Sequence, residues 1–219
     1  MKKNRIFLVD DHPVFREGLS LLIRREPDLE VCGEADDADQ ALAAIERLKP
    51  DLVLADMGLP GKSGLELIKD LFTSHPETPV LIVSMYDEAL YAERVLRAGG
   101  SGFLMKQEGP DKMLQAIRQV LSGQISLSGK ISMHILEGVS GRRKKASSPI
   151  ACLTDRELEI LQLLGRGKDS HAIAKGLKLS FKTVDAHRAH IKEKLSLRTA
   201  TELICYAARW VEAEPASQQ

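Results

Sequence analysis

Five short apolar runs alternate with amphipathic stretches through the first half of the chain, and this alternation limits the fold more than any other feature of the sequence. The runs are Ile6–Val9, Leu29–Gly33, Leu52–Ala55, Val80–Ser84 and Gly102–Met105. Their near-continuous apolar character suits strands of a parallel sheet covered on both faces. Helical periodicity fills residues 13–25, 39–48, 64–74, 88–98 and 110–122, as in Val14, Leu19, Leu22 and Ile23 or Leu65, Leu67, Ile68 and Leu71. Pro13 and Pro110 suit a first helical turn, where the missing N–H has no partner to lose. Five strands with five helices predict a doubly wound α/β unit of the (βα)5 kind, whose ligands bind beyond the carboxyl ends of the strands.

The pattern changes after Gly123. Ser128 can cap a short helix through Leu136, and Gly138 to Pro149 is small, polar and basic, the composition of a flexible linker. From Leu153 the periodicity is helical throughout. Thr154-Asp155-Arg156-Glu157 is a capping box that opens a helix carrying Leu158, Ile160, Leu161 and Leu164. A second helix covers about Ser170–Leu177, and Ser180 can cap a third, Phe181–Leu195. A second capping box, Thr199-Ala200-Thr201-Glu202, begins the last helix, with Leu203, Ile204, Ala207 and Val211 on one face. Two helices about a tight turn, the second longer and polar, predict a helix-turn-helix within a small all-α four-helix domain. The expected divisions are 1–123, a linker at 124–149, 150–213, and a disordered tail at 214–219.

Formal net charge is zero, but residues 1–123 hold 15 Lys and Arg against 21 Asp and Glu, and the remainder holds 16 against 10. The acidic half repels polyanions unless a cation intervenes, while the basic half attracts them. The basic run Arg142-Arg143-Lys144-Lys145 can touch phosphate, though such runs are most often simply solvated. Cys32, Cys152 and Cys205 are few, odd in number and far apart, which predicts reduced thiols of a cytoplasmic protein. No apolar run approaches the roughly 20 residues that span a bilayer.

Polar residues occur where the strand ends should converge. Asp10 and Asp11 follow the first strand and Asp56 the third; Ser84 ends the fourth and Lys106 follows the fifth. Three carboxylates make a hard-oxygen site suited to Mg2+. A lysine and a hydroxyl beside it can neutralise and hydrogen-bond a phosphoryl group, leaving Asp56 as a carboxylate nucleophile. Singly, each residue has a bland reading as a cap, a turn or a surface lysine. Their joint placement does not.

Val9-Asp10-Asp11-His12, Leu54-Ala55-Asp56-Met57-Gly58-Leu59-Pro60-Gly61 and Gly102-Phe103-Leu104-Met105-Lys106 resemble the receiver-domain motifs of two-component response regulators, over roughly Lys2 to Gly123. The resemblance implies that Asp56 is the phosphoacceptor and that Asp10, Asp11, Asp56 and the Gly58 carbonyl hold Mg2+. It also implies that Lys106 bridges to the phosphoryl group, that Ser84 is the switch hydroxyl and that Phe103 is the switch aromatic. Gly58 stands where many relatives carry a polar side chain, so only a backbone role transfers, and the lifetime of the phosphoryl group stays open. Ser84 replaces the commoner threonine with the same hydroxyl.

On the third C-terminal helix, Val184, Ile191 and Leu195 are spaced to face the core, leaving Lys182, Thr183, Asp185, Arg188, Lys192 and Lys194 to solvent or DNA. Leu153-Thr154-Asp155-Arg156-Glu157, Ile173-Ala174, Lys182-Thr183-Val184-Asp185-Ala186-His187-Arg188 and Lys194-Leu195 resemble the LuxR/FixJ/NarL-type DNA-binding domain, over about Leu153 to Val211. By that resemblance Lys182, Asp185, Ala186, Arg188 and Ala189 lie along the DNA-facing side. Thr183 and Lys192 would contact the backbone, and the last helix would pair two subunits. Asp185 and Ala189 stand where several relatives have lysine; Asp185 can accept from cytosine N4 or orient Arg188. His187 and His190 are three apart, a possible metal pair, but no third ligand stands at a suitable spacing and His187 reads as a packed or capping imidazole.

Together the resemblances imply a NarL/FixJ-type response regulator. It would not be an enzyme; a histidine kinase would phosphorylate it, and the phosphorylated form would be a homodimer on double-stranded DNA, with no membrane partner. Two other readings share these residues: an Mg2+-dependent phosphatase with an aspartyl-phosphate intermediate, and a regulator that binds DNA without phosphorylation.

Overall fold

The computed structural model describes residues 3–139 and 149–213. The basic run at 142–145 and the tail at 214–219 lie outside the described residues. The chain divides into two compact units. The first contains β1 (Asn4–Val9), α1 (Pro13–Arg24), β2 (Leu29–Ala35), α2 (Ala38–Leu48), β3 (Leu52–Ala55), α3 (Gly64–Ser74), β4 (Val80–Ser84), α4 (Glu88–Arg97), β5 (Gly102–Met105), α5 (Pro110–Leu121) and α6 (Gly129–Val139). The α/β unit expected from the alternation is present, with β1 two residues and β2 two residues longer than the apolar runs suggested.

The five strands form one parallel sheet in the order β2-β1-β3-β4-β5. Alternate side chains go to opposite faces. Ile6, Leu8, Leu52, Leu54, Leu81 and Val83 pack with Leu19, Ile23, Met113, Ile117 and Val120 of α1 and α5 on one face. Phe7, Val53, Ile82 and Phe103, all buried, occupy the alternate positions. The strand order reverses direction between β1 and β3, which makes their carboxyl ends the topological switch point of the sheet. Helix entry follows local chemistry. Pro13 and Pro110 sit in first turns, Asp37 and Asp87 accept from backbone N–H groups, and Ser63 with Glu66 forms a capping box.

The segment after α5 adds to the sheet. The Phe103 N–H donates to the Ser126 carbonyl at 2.9 Å and the Ser126 N–H donates to the Ser101 carbonyl at 3.1 Å, a short parallel bridge on the free edge of β5. The Ser128 N–H then donates to the Glu88 carboxylate at 2.7 Å, and α6 packs on α4 through the buried Ile131. The helix runs three residues past the expected Leu136, carrying Gly138 inside it.

The second unit contains a 3-10 turn at Pro149–Cys152, then α7 (Asp155–Gly165), α8 (Ser170–Gly176), α9 (Phe181–Lys194) and α10 (Ala200–Ala213). Leu158, Leu161, Leu164, Ile173, Val184, Ile191, Leu203 and Ala207 form its core. Thr154 and Glu157 make the expected capping box. At α10 only half of the expected box forms: Thr199 accepts from the Glu202 N–H, but the Glu202 carboxylate bonds the Arg198 N–H instead of its N-cap. The turn between α8 and α9 places Lys178 at φ 51°.

A Cβ at Gly102 would lie 2.4 Å from the Ser126 carbonyl oxygen, so no side chain fits while the bridge is made. Gly102→Val is expected to part the segment from β5 at about 1–3 kcal/mol. Denaturant unfolding together with amide exchange at Phe103 checks this: the Phe103 N–H should exchange faster by more than the global loss accounts for.

Candidate functional site

Strand register builds the first site. Val9 lies opposite Ala55 and Ser84 opposite Met105, so the next residues, Asp10, Asp56 and Lys106, emerge side by side. Backbone bonds continue past the strands: the Asp56 N–H donates to the Val9 carbonyl and the Lys106 N–H to the Ser84 carbonyl, each at 2.8 Å. Gly64 permits the approach of α3, since a Cβ there would lie 2.3 Å from the Asp56 carbonyl oxygen.

The Lys106 ammonium lies 2.7 Å from Asp10 Oδ2 and 3.0 Å from Asp56 Oδ2, with all three side chains 5–6% exposed. It also lies 4.6 Å from the centre of the Phe15 ring, which closes the site from α1. His12 donates its backbone N–H to Asp10 Oδ1, and its ring Nδ1 lies 3.2 Å from that oxygen, 2.9 Å from Asp11 Oδ1 and 3.8 Å from Asp56 Oδ2. Burial pushes the Asp56 carboxyl above the ordinary carboxylate range; Lys106 opposes the shift and the neighbouring Asp10 adds to it.

This donor set fits a divalent cation. Asp11 Oδ1 is buried with only the His12 ring beside it, and Asp10, Asp11, His12 and Asp56 bring ligand atoms within 4.8 Å of one another. One lysine leaves three carboxylates undercompensated, which a hard oxygen-seeking ion corrects. Of the residues expected at the site, Asp10, Asp11, Asp56 and Lys106 converge, and Gly58 lies beside them. A Cβ on Gly58 would sit 3.7 Å from Asp56 Oδ2 and 3.5 Å from the Tyr86 hydroxyl. Ser84 is buried at the end of β4, where its hydroxyl accepts from the Tyr86 N–H. Phe103 is buried on β5 opposite Ile82.

Sequence reasoning missed three contributors: the His12 ring, Phe15 and Tyr86. His12 and Tyr86 stand within two residues of Asp10 and Ser84, a signal that was available. Phe15 approaches only through the packing of α1.

The second site is the surface of α9. Lys182, Asp185, Ala186 and Ala189 are exposed, while Thr183, Arg188 and Lys192 are half-buried. Thr183 is held at the N-cap, its hydroxyl 2.7 Å from that of Ser180. Arg188 donates to the buried Ser170 hydroxyl at the start of α8 and lies 3.6 Å from Asp185 Oδ1, which itself lies 3.4 Å from Ser170 Oγ. Asp185 thus stands beside Arg188, with the Ser170 hydroxyl between them. His187 and His190 do have a third ligand-type neighbour, Glu157 of α7, thirty residues away in sequence.

Residues 6–118 match the response regulator receiver domain, and residues 151–207 match the bacterial regulatory proteins of the luxR family. Over 210 residues the chain is 37% identical to the oxygen regulatory protein NreC of Staphylococcus aureus strain MRSA252, covering 94% of this chain and 97% of that protein. It is similar to the crystal structure of a LuxR-family two-component response regulator from Aurantimonas sp. SI85-9A1, with 35% identity and a TM-score of 0.59 over 64% of this chain and 99% of that one. It shares the fold of the Salmonella typhimurium RcsB response regulator, with 23% identity and a TM-score of 0.68 over 95% of this chain and 98% of that one.

Because the folded state holds the Asp56 carboxyl above its unfolded value, the stability this group contributes is present at acid pH and lost as pH rises through the folded value. Asp56→Asn removes the buried charge. At pH 7–8 in a chelator it should stabilise the protein by on the order of 1 kcal/mol, with little difference near pH 4. Thermal unfolding followed by circular dichroism at the two pH values, with and without Mg2+, tests this; the gap at neutral pH should narrow when Mg2+ is added.

Proposed function

The chain belongs to the response regulators that join a receiver domain to a LuxR-family DNA-binding domain, and from that premise we propose that Asp56 is the phosphoacceptor through which a histidine kinase controls its binding to DNA. It is a two-component DNA-binding transcription regulator. One observation carries the assignment of Asp56: its carboxylate shares a buried lysine with Asp10, beside Asp11, at the switch point of the sheet.

Asp56 attacks the phosphorus of a phosphohistidine, the phosphorus–nitrogen bond breaks and an acyl phosphate forms. Asp10, Asp11, Asp56 and the Gly58 carbonyl would hold Mg2+, which would neutralise phosphoryl oxygens. Lys106 stays with the charge as it moves outward from the carboxylate. Ser84 donates its hydroxyl to the phosphoryl group, and its attachment to the Tyr86 N–H yields as it does so. Phosphorylation shifts an equilibrium between receiver states, favouring the homodimer on DNA in the cytoplasm. Domain limits of 1–123 and 150–213 are part of this reading; among the described residues no helix is long and apolar enough to cross a membrane.

At the DNA, α9 enters the major groove with Lys182, Asp185, Ala186, Arg188 and Ala189 facing the bases, while Thr183 and Lys192 contact phosphate. A small phosphodonor should strengthen dimerisation and operator affinity of the natural protein and leave Asp56→Ala unmoved; equal stimulation of both, measured by sedimentation and fluorescence anisotropy, would falsify the switch. Lys192→Ala should weaken binding to all sequences alike and lower the slope of log affinity against log salt by about 1. Asp185→Ala, which leaves Arg188 held by Ser170 alone, should instead change which sequences are preferred in a randomised-site selection.

A further inference from the structure

We propose that Glu157, His187 and His190 form a binding site for a divalent transition-metal ion, Zn2+ above all, that clamps α9 to the first turn of α7. The inference is independent of the phosphoacceptor reading. One ligand atom from each of the three side chains lies within 4.8 Å of the others, and His190 Nδ1 stands 3.9 Å from Glu157 Oε1. Zinc bonds of about 2.0–2.1 Å in a tetrahedron place ligand atoms roughly 3.4 Å apart. Coordination therefore requires the exposed His190 ring to draw about 0.5 Å closer to Glu157 Oε1.

The carboxylate is already oriented for the task. Glu157 is buried, and its Oε2 accepts from the Thr154 N–H at 2.8 Å and from the Lys194 ammonium at 2.7 Å. Those two partners fix the carboxylate plane from behind, as partners of a metal ligand commonly do, and Oε1 is the oxygen turned towards the imidazole. Burial alone would raise the Glu157 carboxyl, but Lys194 and Thr154 outweigh it and keep the group anionic. His187 is half-buried and His190 exposed, so the open side of the site faces solvent. Two imidazoles and one carboxylate, with water in the fourth position, suit Zn2+ and not Mg2+.

At 100° per residue, His190 stands about 40° from Ala186 on α9 and His187 about 100°, so the site borders the DNA-facing side of the helix. A bound ion acts by joining α9 to α7 beside that surface. Lys194 opposes the ion by charge, which makes the affinity moderate and tunable.

The test is Zn2+ titration of the full chain, by calorimetry and chelator competition, in excess Mg2+ to occupy the receiver pocket. The natural protein should bind one Zn2+. His190→Ala should weaken that binding by roughly tenfold or more, Lys194→Gln should tighten it, and Asp11→Asn should leave it unchanged. Circular dichroism of each variant establishes that it is folded, and His190→Gln serves if His190→Ala is not. With Co2+ in place of Zn2+, the visible bands of a tetrahedral site should appear without the near-ultraviolet band of a cobalt–thiolate bond. No Zn2+ binding, undiminished binding by the folded His190 variant, loss on Asp11→Asn, or a thiolate band would each overturn the proposal.

Discussion

The buried ammonium of Lys106 is the interaction on which the receiver unit turns. A lysine at 5% exposure needs partners, and it finds Asp10 and Asp56 within 3.0 Å. Each carboxylate alone would resist burial as strongly as the lysine does. The three groups are therefore tolerable only together, at the ends of strands β1, β3 and β5. A one-residue slip in any of these pairings would turn its charge onto the apolar face of the sheet. Register and site are specified by the same alternation of side chains.

That dependence explains why so much of the receiver was legible in the sequence. Parallel strands buried on both faces announce themselves as apolar runs, and the residue after each run must lie at the carboxyl edge of the sheet. Asp10, Asp56 and Lys106 could be assigned to one place without knowledge of any distance. Phe15 could not, because its position over the ammonium comes from the packing angle of α1. Glu157 was equally hidden from His187 and His190, since helical spacing reports neighbours on one helix and is silent about a second helix thirty residues away. The helix α6 outran its expected end for a simpler reason. Gly138 reads as a stop, yet it falls next to last in the described helix, beyond the turns that hold the buried Ile131.

The DNA-binding unit was legible in outline because capping chemistry is local. Thr154 with Glu157, and Ser180 with the Thr183 N–H, mark helix starts within three or four residues. What a capping box does not disclose is its second use. Glu157 caps α7 with one oxygen while that same oxygen takes Lys194, thirty-seven residues later, at the end of α9. The motif that starts the first helix thus fixes the far end of the third. Arg188 is similarly tied to Ser170 and Asp185, so the outer surface of α9 is partly organised by α8 before any DNA arrives. Preorganisation of this kind lowers the ordering cost of binding.

The bridge between Phe103 and Ser126 connects the pocket to the segment that leaves the receiver. Phe103 uses its ring to fill the sheet beneath the carboxyl ends and its N–H to hold Ser126. Both functions fall on one residue of a four-residue strand whose last neighbour is Lys106. Ser84 lies across from that strand at Met105, and its carbonyl accepts the Lys106 N–H. A displacement of β5 large enough to re-aim the Phe103 ring must therefore also strain the bridge to Ser126. The Ser128 bond to Glu88 then passes the strain to the first turn of α4. The path consists of two backbone hydrogen bonds at Ser126 and one from the Ser128 N–H to the Glu88 side chain, and such bonds tolerate only a few tenths of an ångström before they weaken. The start of α6 is thus tied by hydrogen bonds to the strand that leads into Lys106.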